Sequence, residues 1–163
     1  PVSGCFSGRQ KALYEIVLDA QLAAIAAVSP GASFNDPHEA AVRAITAGLK
    51  DLKLLKGSVD SLIEKTAYRK FFVHRTSHWL GLDVHDVGEY RVGDTWRMLE
   101  PGMVLTIEPG IYVPAHQNIP KQWHGIGIRI EDDVLVTQQG HDVLTQDAPK
   151  DPAAIETLMA SGN

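Results

Sequence analysis

Apolar side chains recur at helical spacing in the first part of the chain, which predicts an amphipathic helix. The recurring positions are Leu13, Ile16, Val17, Ala20 and Ala24. Ser7 and Gln10 have the spacing of a capping box at the start of this helix. Ser29-Pro30-Gly31 is expected to end it, because proline cannot continue a helix.

A second helix is predicted to begin at Asp36, which is followed by Pro37 in the first turn and by Glu39 as the reciprocal capping residue. Gly57 is its expected C-terminal stop. Residues 58–66 predict a short third helix. The core face of the second helix is predicted at Val42, Ile45, Leu49 and Leu52.

The period of the pattern changes in the second half of the chain. Residues 103–113 and 125–137 are rich in valine and isoleucine with partial alternation, which predicts strands. Residues 152–159 predict a last surface helix. Helices followed by strands indicate an α+β domain with an antiparallel sheet.

Composition narrows the range of functions. The length of 163 residues suits one domain, and 44% hydrophobic residues suffice for a core. The net charge of −5, without a basic cluster, argues against nucleic-acid binding. No apolar run reaches the length of a membrane span. A single cysteine, Cys5, fits a reducing compartment, so a cytoplasmic location is expected.

Five polar side chains lie in stretches that otherwise predict core strands or strand edges. A carboxylate is seldom buried unless it is paired or binds a metal. Imidazole and carboxylate groups together suit Mn, Fe, Co or Zn. These candidates are His74, His78, His85, Glu108 and Glu131.

Simpler interpretations exist for each candidate. Arg129 and Glu131 project to the same face of a strand, so they could form an ordinary ion pair. Glu108 could cap a turn at Pro109-Gly110. His74 and His78 would share a face if their segment were helical. The remaining histidines are interpreted as surface or loop residues: His38, His116, His124 and His141.

Three segments in succession resemble the Xaa-Pro aminopeptidases of the pita-bread metallopeptidase family. They are residues 74–86 (HRTSHWLGLDVHD), 99–112 (LEPGMVLTIEPGIY) and 125–133 (GIGIRIEDD). The resemblance extends from Pro1 to about Met159. It implies that residues 1–163 are the C-terminal portion of the catalytic domain. The implied fold is the second half of a pita-bread domain, with helices packed on a curved, mainly antiparallel sheet.

The resemblance also implies a function. The family hydrolyses the peptide bond before proline with two metal ions, usually manganese in this branch. His78, Glu108 and Glu131 resemble the metal ligands, with Glu131 bridging both ions and Glu108 also acting as proton shuttle. His74 and His85 resemble the catalytic histidines that bind the peptide and stabilise the tetrahedral intermediate. The counterpart of Arg129 orients a ligand carboxylate.

The chain departs from the family at its beginning. Two aspartate ligands and one substrate-side histidine of the family precede the segment that Pro1-Val2 resembles, and the chain has no initiator methionine. We therefore expect the isolated chain to be inactive or nearly so. We also expect it to be stabilised by the missing N-terminal half or by a homo-oligomer partner.

The expected substrates are peptides with proline at the second position. Two alternatives stay open. One is a metal-free peptide- or protein-binding module descended from the pita-bread fold, although retention of His78, Glu108 and Glu131 favours descent from an enzyme. The other is a prolidase, an Xaa-Pro dipeptidase. The motif at residues 74–85 favours an aminopeptidase or a prolidase over a creatinase.

Overall fold

The computed structural model describes residues 1–161. Four helices are present in this part of the chain: α1 (Gly8–Ala26), α2 (Asp36–Asp51), α3 (Val59–Glu64) and α4 (Pro152–Ser161). Short 3₁₀ turns occur at Ala67–Lys70 and Lys121–Trp123. None of the helices within residues 1–161 combines the length and the apolar character that crossing a bilayer requires.

The predicted start of α1 is confirmed. The Ser7 hydroxyl accepts the N–H of Gln10, and the Gln10 side chain accepts the N–H of Ser7. The helix ends at Ala26, just before the predicted stop. This capping box satisfies two backbone donors that would otherwise lack partners in the first turn.

Two details predicted for α2 are wrong. Its N-cap is Asn35 rather than Asp36, because the Asp36 carboxylate turns back to accept the N–H of Ser33. The helix ends at Asp51, so Gly57 is not its stop. Gly57 instead adopts a φ of +143°, which glycine tolerates, and leads into Ser58, the N-cap of α3.

The strands are shorter than predicted. Each of the two long predicted strands is divided into two, and three strands were not predicted at all, because two- and three-residue strands carry too little pattern. The strands are β1 (Arg91–Val92), β2 (Thr95–Trp96), β3 (Val104–Ile107), β4 (Gly110–Tyr112), β5 (Gly127–Arg129), β6 (Asp132–Val136) and β7 (His141–Val143).

All strand pairs are antiparallel. They form a hairpin of β1 and β2, a three-stranded sheet in the order β3-β6-β7, and a pair of β4 with β5. The segment 76–80 adds hydrogen bonds along the other edge of β3, where Leu80 N–H, Thr106 N–H and Glu108 N–H are the donors. The predicted α+β architecture with antiparallel sheets is therefore confirmed.

The pairing of β3 with β6 and the pairing of β4 with β5 follow the same register, although each long predicted strand is divided in two. Ile107 of β3 pairs with Asp132 of β6, and Gly110 of β4 pairs with Arg129 of β5. Continuing the same register across the gap places Glu108 opposite Glu131. It also places Pro109 opposite Ile130, whose N–H donates to the Pro109 carbonyl at 3.4 Å. The regular hydrogen-bond pattern between the strands is interrupted at Pro109, because proline has no N–H to donate.

The apolar core lies between the helices and the sheets. Leu105 and Ile107 of β3 and Val134 of β6 are fully buried on the inner face. Complete burial of one such side chain contributes roughly 1.5–3 kcal/mol. The helices supply Leu13, Val17, Ile45 and Leu49 to the same core.

A buried carboxylate ties β6 to the helical side. The side chain of Asp132 is 1% exposed. One oxygen accepts from Thr145 Oγ1 at 2.6 Å and Lys150 Nζ at 2.9 Å, and the other accepts from Gln21 Nε2 of α1 at 2.9 Å. Because Asp132 directly follows Glu131, this network fixes the backbone next to a candidate ligand.

We expect Asp132→Ala to lower the free energy of unfolding of the chain by about 3 kcal/mol, because Lys150 and Gln21 lose a buried partner. Urea denaturation measures the effect. Asp142→Ala, on the exposed face of β7, serves as the control and should change stability by no more than about 0.5 kcal/mol. Equal midpoints for the two variants would contradict the structural role of Asp132.

Candidate metal centre

The centre is formed by two carboxylates that the continuous register places opposite each other. Glu108 follows β3 and Glu131 precedes β6, so both side chains leave the same face of the paired strands. The Glu108 side chain is 14% exposed and that of Glu131 is 37% exposed. Like charges directly opposite each other destabilise a sheet unless a cation lies between them.

His78 supplies a nitrogen to the same point. Its Nδ1 lies 2.9 Å from the Trp79 carbonyl oxygen, and its Nε2 lies 3.3 Å from Glu108 Oε1. A carbonyl only accepts hydrogen bonds, so Nδ1 carries the proton. Nε2 is then the nitrogen that faces the carboxylates, which is the arrangement of a histidine whose other nitrogen is held by the backbone for metal binding.

Arg129 lies between the two carboxylates. Its Nε is 3.7 Å from Glu108 Oε2, and a terminal nitrogen is 3.5 Å from Glu131 Oε2. The predicted ion pair with Glu131 is present, and the contact with Glu108 extends it to a bridge. The guanidinium therefore orients both carboxylates and offsets part of their repulsion.

Two threonines hold His78 and Glu108 from behind, one through its side chain and one through its backbone. Thr106 Oγ1 accepts the His78 N–H at 3.1 Å and lies 3.3 Å from Glu108 Oε1, to which it donates. The Glu108 N–H donates to the carbonyl of the buried Thr76 at 2.7 Å. Glu108 is thus fixed through both its backbone and its side chain.

The other two predicted histidines flank the centre. The ring of His85 packs against that of His78, with centroids 4.4 Å apart. His74 Nδ1 donates to the Arg75 carbonyl at 2.8 Å, so its Nε2 accepts from the Tyr112 hydroxyl at 2.9 Å. His74, His78 and His85 all lie outside helices and strands, so the alternative of a helical face shared by His74 and His78 is wrong.

The interpretation of His38 as a surface or loop residue is wrong. His38 lies in α2, and its Nδ1 is 2.8 Å from Thr76 Oγ1. Burial, followed by the charges of Arg75 and Arg69, lowers the pKa of His38 to about 4. The imidazole is therefore neutral at physiological pH and joins α2 to the segment behind Glu108.

The other three histidines outside the centre have mixed surroundings. His116 is exposed, as predicted. His124 bonds the Ile119 carbonyl at 2.7 Å, and His141 Nδ1 bonds the Val28 carbonyl at 2.7 Å. Both side chains are half-buried. The bond of His124 closes a short loop, and the bond of His141 joins two segments far apart in the chain.

Geometry and ligand chemistry both suit a divalent cation. One ligand atom each from His78, Glu108 and Glu131 can be chosen so that all three lie within 4.8 Å of one another. One imidazole nitrogen with two carboxylates is a donor set for Mn, Fe, Co or Zn. The hydrogen bonds from Thr106 and to Trp79 supply the orientation that such ligands need.

Comparison with models of protein families shows the family to which the chain belongs. Residues 2–138 match the model of metallopeptidase family M24. This chain belongs to metallopeptidase family M24. The M24 chain is 52% identical over 159 residues to the Xaa-Pro aminopeptidase of Haemophilus influenzae, covering 98% of the chain and 37% of the relative. It is 48% identical over 161 residues to the Escherichia coli Xaa-Pro aminopeptidase, covering 99% and 36%.

The fold of this M24 chain agrees with solved structures. The Pseudomonas aeruginosa aminopeptidase PepP superposes with a TM-score of 0.95 at 58% identity, covering 97% of the chain and 36% of that protein. The predicted pita-bread half-domain is thereby confirmed. The chain spans little more than a third of these relatives and matches their C-terminal part.

Sequence reasoning missed two contributors to the centre. The sequence pattern predicts no role for Tyr112, although it lies four residues after Glu108 and its hydroxyl lies 2.9 Å from His74 Nε2. The bond between His38 and Thr76 joins residues 38 positions apart, and no local pattern signals it. A tyrosine four residues after a candidate ligand, in a stretch that otherwise predicts a strand, was the one usable signal.

The lowered pKa of His38 generates a prediction about acid stability. Between about pH 6.5 and 4 the unfolded chain binds a proton at His38 that the folded chain does not. The free energy of unfolding therefore falls as the pH falls through this window, by up to roughly 3 kcal/mol.

Urea denaturation between pH 7 and 4 measures this effect, with His38→Gln as the comparison. Glutamine keeps a group that can bond Thr76 but does not titrate, so the variant should lose less stability over the same window. Parallel stability curves for the two proteins would contradict a buried neutral His38.

Proposed function

We propose that this chain is the C-terminal part of the catalytic domain of a dinuclear metallo-aminopeptidase that hydrolyses the N-terminal Xaa-Pro bond of peptides. The observation that carries the proposal is the convergence of His78, Glu108 and Glu131 within one ligand sphere. The names of the two curated relatives, both Xaa-Pro aminopeptidases at 52% and 48% identity, support the substrate class.

His78, Glu108 and Glu131 would hold the divalent ions, which would supply Lewis acidity and a water that ionises near neutral pH. Glu131 would be the ligand common to both ions, as the family resemblance implies. Glu108 accepts the proton of the attacking water and delivers it to the leaving amine. Its partly buried carboxylate, with Thr106 and Arg129 fixing its two oxygens, is held for such a transfer.

His85 and His74 face the substrate in this proposal. His85 is exposed beside His78, so its ring can donate to the oxygen of the tetrahedral intermediate. His74 is oriented by Tyr112 and by the Arg75 carbonyl, which sets its ring direction for peptide binding. Arg129 is a positioning residue because it acts on the two ligand carboxylates.

The remaining metal ligands belong outside this chain in this proposal. The two aspartates that the resemblance implies precede Pro1, in agreement with relatives of which the chain covers 36–37%. Manganese as the metal, the N-terminal half or a second copy as the partner, and a cytoplasmic location all stay predictions. The single exposed Cys5 supports the last of these.

In the complete protein, Glu131→Ala should abolish stoichiometric Mn²⁺ binding and lower kcat on an Xaa-Pro peptide by at least about 10³-fold, because a ligand shared by two ions is lost. Isothermal titration calorimetry and a peptidase assay measure the two effects. Glu100→Ala is the control, since Glu100 is exposed in the turn before β3.

Three outcomes separate the competing functions. Hydrolysis of Xaa-Pro-Yaa peptides supports the aminopeptidase, whereas cleavage confined to Xaa-Pro dipeptides would indicate a prolidase. Peptide binding without metal or turnover would indicate a binding module. Full activity of Glu131→Ala would overturn the proposed metal centre.

The isolated chain should bind Mn²⁺ at least tenfold more weakly than the complete protein and show no measurable turnover, because His78 and two glutamates provide too few ligands for two ions. Metal titration of both forms tests this. Equal affinity and equal activity would show that the upstream aspartates are dispensable.

A further inference from the structure

A polar cavity lies on the helical side of the chain, separate from the metal ligands. Its volume is about 650 Å³. Its walls are formed by four parts of the chain: helix α2, the 3₁₀ turn at Ala67–Lys70, the loop at Arg75 and strand β2. Its charged residues are Arg43, Arg69, Arg75 and Glu39.

Positive charge is concentrated there although the chain carries a net charge of −5. Three arginines face one glutamate in the lining. Within residues 1–161, Arg43 pairs with Asp60 at 3.0 Å, whereas no ion pair forms at Arg69 or Arg75. His38 also lines the cavity and is neutral at physiological pH, so it offsets none of this charge and adds none.

The guanidinium of Arg75 is held in place before any ligand arrives. It lies over the ring of Trp96 at 4.4 Å from the centroid and donates to Asn35 Oδ1. Arg91, the cross-strand neighbour of Trp96, lies over the same ring at 4.1 Å. Stacking on an aromatic face restricts a guanidinium while leaving its N–H edge available to an acceptor.

The arginines around this cavity lie close enough to repel one another. Partial burial lowers the pKa of Arg75, and the charges of Arg91 and Arg69 also lower it, while Tyr68 and Glu39 act in the opposite direction. Glu39, which accepts from Asn35 Nδ2, is the only acidic side chain in the lining. An anion with several oxygens would relieve the repulsion and accept from more than one guanidinium at once.

We propose that this cavity binds the phosphate group of a small molecule through Arg69 and Arg75, with Arg43 at its rim. A phosphate presents three or more oxygens and two negative charges, which matches several unpaired guanidiniums better than a single carboxylate does. Two arginines already lie over the ring of Trp96, so recognition is expected to depend on the phosphate itself.

The cavity is separate from the proposed catalytic site. None of His78, Glu108 and Glu131 lines the cavity. Arg75 nevertheless lies between His74 and Thr76 in the chain, and Thr76 accepts the Glu108 N–H. The phosphate cavity therefore adjoins the metal centre from behind while using its own set of donors.

Calorimetric titration of the complete, metal-depleted protein tests the proposal, at constant ionic strength near pH 7.5. Removing the metal prevents phosphate from binding at the catalytic centre. Inorganic phosphate and glycerol 3-phosphate are the two probes, and they distinguish a free ion from a phosphate monoester. We expect saturable binding of at least one probe below about 10 mM, an affinity of about −3 kcal/mol or tighter.

Arg69→Ala and Arg75→Lys should each weaken that binding by about tenfold, because each removes charge-assisted hydrogen bonds. Arg69 makes no side-chain hydrogen bond in the described part of the chain, so its removal spares the fold. Arg9→Ala, an exposed change on α1, is the matched control and should bind as the parent does.

Two results would overturn the proposal. One is the absence of saturable binding of either probe, as expected if acidic side chains elsewhere in the complete protein fill the cavity. The other is binding that Arg69→Ala and Arg75→Lys leave unchanged. Because the protein is free of metal throughout, neither result depends on whether the peptidase proposal is correct.

Discussion

The structure of the centre depends on one constraint, the placement of two carboxylates directly opposite each other on paired strands. Glu108 and Glu131 occupy matching positions in a register that continues from β3-β6 into β4-β5. Two like charges at such positions repel, so the surroundings must supply positive charge. Arg129 contacts both of them, and Nε2 of His78 completes a set of three ligand atoms suited to a cation.

The rest of the fold keeps that arrangement rigid. Proline at position 109 interrupts the ladder where the carboxylates emerge, and glycine at position 110 leaves room for the facing strand, because a Cβ there would lie 3.0 Å from the Ile128 carbonyl. Asp132 anchors the neighbouring backbone to α1 through Gln21. The helices thus stabilise the centre from a distance, through the buried core and one polar network.

Much of this could be predicted from local pattern. Helical spacing located α1 and α2, and the predicted helices at residues 58–66 and 152–159 agree with α3 and α4. Carboxylates in otherwise apolar strands singled out Glu108 and Glu131. The capping box of Ser7 and Gln10 was equally readable, because its chemistry lies within four residues. The strand division at Pro109 and the bond of His38 to Thr76 depend on pairing between distant segments. The roles of the site residues came from the family resemblance, since spacing alone left an ordinary ion pair open.

The most direct test of the account is a crystal structure of the complete protein grown with Mn²⁺, with anomalous scattering recorded at the manganese edge. The account predicts an anomalous peak within bonding distance of His78 Nε2 and of carboxylate oxygens from both Glu108 and Glu131. A peak at another place, or one that persists between these residues in Glu131→Ala crystals, would contradict it.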